Sequence, residues 1–173
     1  MPEDYSGQDL RGRDFSGQDL SRANLAGANL TNANLRGADL RGADLYRANL
    51  YRADLEDADL YRADLSGAKL TRANLYRADL EDADLYRADL WGAYLRGADL
   101  SESYLRGANL RDADLWGAYL RGAYLRGANL EDANLSGVDL TDADLSGAFR
   151  RPGISRADLE GANGLGTVKG LVD

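Results

Sequence analysis

Leucine recurs every fifth residue along most of this chain, and alanine lies two residues before it. The leucine position is occupied at residues 10, 20 and 25 and then at every fifth residue to 145, with Tyr5 and Phe15 as aromatic variants. The alanine position runs from residue 23 to residue 148, with Ser103 and Val138 as exceptions. Asp or Asn fills most of the places between them, and the two places after leucine vary. Two of every five positions are therefore uniformly apolar, and three accept polar residues.

Neither a regular helix nor a flat strand can bury leucines at this spacing. In an α-helix, five residues advance the side-chain direction by about 500°, so successive leucines would point about 140° apart. In a strand, side chains alternate between two faces, so an odd spacing sends successive leucines to opposite sides. A chain that turns a corner once in every five residues can place all the leucines and alanines inside. The pattern therefore predicts a coiled chain with leucine and alanine in its core.

Glycine marks the predicted corners. Between residues 5 and 149 there are fifteen glycines, and all of them occupy the second position after the leucine position. In a turn that runs from leucine to alanine this is the third residue, where a type II turn needs a positive φ that glycine adopts without strain. Where the same position holds Arg47, Arg52, Asp57 or Asp82, the sequence favours a type I or irregular turn.

The unit Ala-(Asp/Asn)-Leu-x-x resembles the signature of the pentapeptide-repeat family, and the stretch DYSGQDLRGRDFSGQDLSRANL resembles cyanobacterial members. The resemblance covers about residues 5–149. It implies an all-β fold, a right-handed quadrilateral β-helix with four pentapeptides per coil, and hence about seven coils in this solenoid. We expect residues 1–149 to form the β-helix, with Tyr5 and Phe15 closing its first coil. Residues 150–173, where the register shifts, are expected to form a partial coil and C-terminal cap of the same domain.

Composition limits the chemistry that this protein can perform. The 173 residues fit one domain, and a net charge of −8 with interspersed signs argues against direct binding to nucleic acid. The chain has no Cys and no His, so disulfides, thiolate metal sites and the usual general base are excluded. We therefore expect no enzyme, no cofactor and no metal site. Because neither a signal peptide nor an apolar membrane-spanning segment is evident, a cytoplasmic location without membrane contact is expected.

A coil of twenty residues would stack one set of acidic side chains into a candidate acidic ladder: Asp19, Asp39, Asp59, Asp79 and Asp99. A row of like charges could bind cations or imitate a phosphate backbone. Alternatively, the carboxylates accept local backbone hydrogen bonds or contact arginines such as Arg22 and Arg77. The sequence favours the local interpretation, because Asp is common at this position throughout the repeat.

Exposed aromatic residues form a second candidate site. The candidate partner contacts are concentrated in the later coils: Trp91, Tyr94, Tyr104, Trp116, Tyr119 and Tyr124. Exposed aromatic side chains are common at protein interfaces. They can also have a structural role, since Arg111 would lie one coil after Trp91 and Arg96 one coil before Trp116, where an arginine can pack on the ring.

These observations favour a non-enzymatic structural or protein-interaction solenoid with an unknown protein partner, as a monomer or an end-to-end dimer. The family resemblance implies an alternative, a DNA-mimicking protein of the quinolone-resistance type that binds DNA gyrase. The acidic charge and rod shape agree with this alternative. Three features disagree with it. The C-terminal stretch is too Gly-rich and short for the dimerisation helix that such relatives usually have, and no loop is inserted within residues 5–149, as it is in some of them. Arg22, Arg62 and Arg72 also interrupt the acidic surface.

Overall fold

The chain is wound so that residues twenty positions apart lie side by side. The computed structural model describes residues 3–148, 159 and 161–169. In this part of the chain, β structure consists of parallel bridges between single residues, from Asp4 with Asn24 to Tyr124 with Asp144, and no multi-residue strand is formed. Because a turn occurs every five residues, each 20-residue coil has four corners, and the molecule is a β-helical solenoid. None of these described residues belongs to a helix long and apolar enough to cross a membrane.

All corners share one backbone geometry. From Gly7 to Gly147, each residue in the second position after leucine has a positive φ, between 53° and 70°. The turn is closed by a hydrogen bond from the alanine N–H to the leucine carbonyl, as between Ala43 and Leu40 at 2.9 Å. A positive φ at the third residue, with this bond, is the type II arrangement. The glycine column predicted these corners correctly.

The predicted type I or irregular turns are wrong. Arg47, Arg52, Asp57 and Asp82 have φ values of 53°, 53°, 55° and 58°, like the glycines of their column. The reason is the neighbouring coil: the N–H at this position donates to a carbonyl one coil further on, as Arg47 does to Ser66 at 3.0 Å. Inter-coil hydrogen bonds thus impose the left-handed conformation, although it costs about 1–2 kcal/mol for a residue with a side chain.

A five-residue unit that begins with Asp or Asn can satisfy all of its own backbone donors. In the unit from Asp39 to Ala43, the N–H groups of the first, second and fourth residues donate to carbonyls of adjacent coils, and that of the fifth closes the turn. The third N–H, of Arg41, donates to the Asp39 carboxylate at 3.1 Å. A carboxylate or amide at this position therefore caps the corner, which explains why Asp and Asn fill the column.

The core is a stack of leucine and alanine side chains that are almost fully buried from residue 20 to residue 145. One polar side chain enters it: the hydroxyl of Ser103 donates to the Leu100 carbonyl at 2.6 Å, so the buried group has a partner. At the N-terminal end the rings of Tyr5 and Phe15 meet edge to face, with centroids 5.8 Å apart. Phe15 belongs to the buried core and Tyr5 packs against it, and the closing of the first coil by these rings stays a prediction.

The C-terminal segment continues the coil with a changed register. Asn163 pairs with Asp139 and Lys169 pairs with Asp144, at offsets of 24 and 25 residues instead of 20. Residues 149–158, 160 and 170–173, which include most of the predicted cap, lie outside the described residues. The domain division at residue 149 therefore stays a prediction.

Candidate functional site

The acidic ladder exists as a column. Successive parallel bridges join Asp19, Asp39, Asp59, Asp79 and Asp99, and the next residue in the column is Tyr119. Each carboxylate accepts the N–H two residues further along, at 2.9 to 3.1 Å. The carboxylates therefore cap corners, as the local interpretation of this column predicted.

The two ends of the ladder differ in their electrostatics. Arg41 forms ion pairs with Asp39 and, at 3.4 Å, with Asp59. Hydrogen bonds from Arg41 lower the pKa of Asp39 below its ordinary value. At Asp79, burial raises the pKa, and the carboxylates of Asp59 and Asp99 raise it further. One end of the column is thus neutralised, whereas the other is self-repulsive.

The arginine that pairs with the ladder is not one of the two that the sequence suggested. Arg77 lies 3.6 Å from Asp57, which is at a corner outside the column, and Arg22 forms no ion pair with a ladder residue. Arg41 is two residues after Asp39, so its side chain can fold back along the same corner. Within the described residues, no group of three acidic side chains has metal-binding geometry.

Tyrosine followed by arginine is a recurrent surface pair that sequence reasoning missed. In all five Tyr-Arg dipeptides the guanidinium lies over the preceding ring, 4.8 to 6.0 Å from its centroid. The two residues project from one corner, and the positive φ of the arginine turns its side chain over the ring. A cation–π contact of this kind contributes about 0.5–1 kcal/mol at an exposed site. The dipeptide at a fixed place in the repeat was the signal that could have revealed it.

Both candidate tryptophans are used within the chain. Arg96 lies 4.9 Å from the ring centroid of Trp116, which confirms the predicted pair. The predicted pair of Arg111 with Trp91 is wrong, since Arg72 lies over that ring at 5.1 Å. Arg111 instead contacts acidic neighbours, including Glu131 at 3.2 Å. Arg111 therefore pairs with carboxylates, and Arg72, at a corner of the preceding coil, contacts the Trp91 ring.

Trp91 also lines a groove on the described surface. Its indole N–H donates to Asp112 at 2.7 Å, so the ring is held at both its edge and its face. The groove has a volume of about 630 Å³ and is lined by Arg52, Arg72, Trp91, Gly92, Tyr94 and Asp112. It is a shallow channel between corners, whose arginines already cover aromatic rings.

The four candidate tyrosines occupy the corner-capping column. Tyr94, Tyr104, Tyr119 and Tyr124 each stand where the repeat has Asp or Asn, and each begins the sequence Tyr-Leu-Arg-Gly. The phenolic oxygen at the far end of the tyrosine ring does not accept the N–H of the arginine two residues further on, so these corners lack the cap. The tyrosines are between 45% and 54% exposed, and within the described residues no arginine lies over their rings.

The structure brings together only one pair of the six aromatic candidates. Tyr104 and Tyr124 lie one coil apart, and their rings stack with centroids 5.1 Å apart and planes inclined by 7°. Tyr94 and Tyr119 lie on two other faces, paired with Asn74 and Asp99 in their own columns. The six candidate aromatics therefore comprise one stacked pair and four separate rings.

Several solved structures are similar to this chain. HetL, a pentapeptide repeat protein involved in heterocyst differentiation regulation from the cyanobacterium Nostoc sp. strain PCC 7120, is 35% identical, with 97% of this chain and 87% of HetL covered and a TM-score of 0.38. A pentapeptide repeat protein from the thylakoid lumen of Arabidopsis thaliana is 34% identical over 80% of this chain and 69% of its own, with a TM-score of 0.29. A trypsin-treated form of QnrB1, a plasmid-mediated fluoroquinolone resistance protein, is 22% identical over 94% of this chain and 86% of its own, with a TM-score of 0.59, a likeness of fold.

No curated protein matches the chain. The family described as pentapeptide repeats matches it in eight copies, over residues 9–47, 48–85, 83–120 and 116–149. These ranges coincide with the capped five-residue units and with the coil that they build. With its repeat, its corners and its matched residues in agreement, the chain belongs to the pentapeptide-repeat family.

Proposed function

We propose that this chain is a non-enzymatic solenoid that binds another protein through its exposed tyrosines. The observation that carries the proposal is the loss of corner caps at Tyr94, Tyr104, Tyr119 and Tyr124. Each substitution forgoes a hydrogen bond that contributes about 0.5–1.5 kcal/mol, and each exposes an apolar ring. A purely structural unit would retain Asp or Asn, and sites that break a local rule in a consistent fold are frequently functional.

The remaining features of the chain support a binding role without chemistry. Its sequence has neither His nor Cys, and the column carboxylates serve as corner caps. We infer that the coil is right-handed and that residues 5–149 make about seven coils, as a 20-residue period implies. Residues 150–173 would be a cap of the same domain. We expect a monomer or an end-to-end dimer in the cytoplasm, without contact to membranes or nucleic acid.

Protein capture tests the proposal. The full chain and a variant with Asn at all four tyrosine positions would be immobilised and exposed to a cell extract. We expect the native chain to retain at least one protein that the variant does not retain. A matched control carries Asn at Tyr46, Tyr76 and Tyr86, which are also exposed but lie outside the capping column. An identical set of proteins on the native chain and on the capping-column variant would refute a tyrosine-dependent interaction.

Tyr119→Asn is expected to stabilise the protein by about 1 kcal/mol. Its side-chain oxygen would cap the Arg121 N–H, and its amide would donate to Asp99, as Asn134 donates to Asp114 at 2.9 Å. Chemical denaturation of both proteins measures the difference. Tyr46→Asn is the control, and it should destabilise, because that tyrosine has no capping role and loses Arg47 at 4.9 Å. A lower stability for Tyr119→Asn would mean that the tyrosine is there for packing.

The alternative function is DNA mimicry with gyrase as the partner. The five-aspartate column favours it, as does the likeness of fold to QnrB1. Arg41, which pairs with two of the five aspartates, argues against it. A DNA mimic needs regular, unneutralised negative charge, because its attraction for a DNA-binding surface is electrostatic.

We expect no inhibition of DNA supercoiling by gyrase when the pure protein is added at micromolar concentration. The measurement is a supercoiling assay with the native chain and with a variant carrying Asn at Asp39, Asp59 and Asp79. Inhibition that this variant lacks, and that salt weakens, would establish mimicry and replace our leading proposal. Inhibition that persists in the variant would keep gyrase as a partner and remove the ladder from the mechanism.

A further inference from the structure

Three arginines lie at the corners that flank the stacked tyrosines along the chain. Arg106 and Arg126 each follow a tyrosine of the pair by two residues, at the corner beyond it, and Arg121 lies at the corner before Tyr124. We call Tyr104, Tyr124, Arg106, Arg121 and Arg126 the tyrosine–arginine patch. On the basis of the proposed function, we propose that this patch is the docking site for an acidic peptide segment of the partner protein.

The patch arginines differ from most arginines of the chain in their contacts. Seven arginines form ion pairs with described residues: Arg11, Arg36, Arg41, Arg62, Arg77, Arg96 and Arg111. Seven lie over aromatic rings: Arg47, Arg52, Arg62, Arg72, Arg77, Arg87 and Arg96. The three patch arginines belong to neither set among the described residues. Their guanidinium groups are therefore available to an external carboxylate.

The nearby acidic groups interact with the patch arginines without reaching ion-pair contact: Asp139 attracts Arg121, and Asp144 attracts Arg126. Arg121 shares a groove of about 310 Å³ with Glu81, Asp99 and Glu102, but none of them forms an ion pair with it. In the tyrosine column, Asp84 precedes Tyr104 and Asp144 follows Tyr124. They bound the patch and limit the length of an acidic ligand to the two tyrosine coils.

Glycine keeps this edge of the rod open. Arg106 and Arg126 are followed by Gly107 and Gly127. A side chain added at Gly127 would meet no atom within 4 Å, and one added at Gly107 would meet only the Cγ atom of Arg87, at 3.5 Å. In earlier coils the same corner column holds Arg47 and Arg87, which cover Tyr46 and Tyr86. In the patch, neither the rings nor the arginines are covered in this way, so a ligand can reach both.

An acidic peptide fits this chemistry better than a nucleic acid does. Arginine and carboxylate form charge-assisted, bidentate hydrogen bonds, and tyrosine with arginine is a common composition of interface hot spots. A nucleic acid needs an extended basic track, whereas this patch has three arginines on a protein with a net charge of −8. Because a short peptide carries few charges, it can pair with the arginines without meeting the aspartate columns.

Fluorescence anisotropy of the full chain tests the docking site. The probe is a fluorescein-labelled peptide of repeated Glu-Pro-Glu-Leu, and its counterparts are a Gln-Pro-Gln-Leu peptide and labelled oligo-dT. We expect the Glu peptide alone to bind at low ionic strength, and Arg106→Gln with Arg126→Gln to weaken its affinity at least about tenfold. Arg47→Gln with Arg52→Gln, which removes the same charge from earlier coils, is the matched control and should leave the affinity unchanged.

The double variant Tyr104→Asn with Tyr124→Asn should also lower the affinity for the Glu peptide. Its thermal melting should show a fold at least as stable as that of the native protein. Four outcomes would each overturn the inference. They are no binding of the Glu peptide, equal binding of the Gln peptide, tighter binding of oligo-dT, and an equal loss of affinity in the control variant. If capture from extract depends on the four tyrosines but the Glu peptide does not bind, the acidic-peptide site is refuted and the proposed interaction function stands.

Discussion

Leu85→Asp is expected to abolish the native fold. Leu85 is fully buried in a stack where each side is filled by another leucine or alanine, so no water or polar partner reaches the introduced group. Burial of an unpaired carboxylate costs several kcal/mol, and the whole stability of a domain is roughly 5–15 kcal/mol. Because each coil supports its neighbours, the defect also removes the template for the coils on both sides. Far-ultraviolet circular dichroism and a thermal melt measure the loss.

Tyr86→Asp, one residue further along, introduces the same charge at an exposed position and is the control. It loses the contact with Arg87, a cost of about 0.5–1 kcal/mol, and should keep a cooperative melt. A native spectrum and unchanged melting temperature for Leu85→Asp would contradict the inward position of the leucines. Unfolding of both variants would show that the exposed position of Tyr86 tolerates a negative charge no better than the buried position of Leu85.

The inward and outward assignment could be predicted from the sequence because it follows from periodicity alone. Any chain that turns every five residues puts its one invariant large apolar side chain inside, so Leu85 and its counterparts were identifiable. Stacking at intervals of twenty residues also located Trp116 beside Arg96 and joined the ladder aspartates. These predictions needed only the repeat and the number of sides.

The corners could not be predicted from the preferences of single residues. Arginine and aspartate avoid a positive φ in isolation, yet Arg52 and Asp57 adopt it because two neighbouring coils fix the chain there. Tertiary hydrogen bonds thus override a local preference of about 1–2 kcal/mol. The partner of Trp91 was missed for a different reason, since Arg72 and Arg111 lie on opposite sides of its coil and acidic neighbours decide between them.

The candidate site was visible in the sequence only in part. The exposed aromatics were identified, but not the distinction between rings covered by arginine and rings that replace a corner cap. That distinction depends on knowing that Asp39 accepts the Arg41 N–H in particular. The sequence predicted local backbone hydrogen bonds for this column, but not which N–H each carboxylate accepts. Once this role of the column is known, Tyr-Leu-Arg-Gly can be read directly from the sequence as a unit that lacks its cap.

Deletion of either residues 61–65 or residues 111–115 is expected to give a folded protein with a cooperative melt. Each deletion removes one complete five-residue unit, and the hydrogen bond that closes the turn of each remaining corner lies within its own unit. All units after the deletion rotate by one face, and the coil closes again because leucine and alanine occupy the same places on every face. A chain unfolded by either deletion would show that the faces are not interchangeable.

The two deletions differ in one consequence that makes them a matched pair. Removal of residues 61–65 leaves Tyr104 and Tyr124 twenty positions apart, so their rings remain stacked. Removal of residues 111–115 leaves fifteen positions between them, which moves Tyr124 to an adjacent face and places Asn129 beside Tyr104. Contacts between the two rings, measured by nuclear Overhauser effects, should persist in the first variant and vanish in the second. Affinity for the acidic peptide should follow the ring contact, because the tyrosine–arginine patch exists only while both tyrosines share a column.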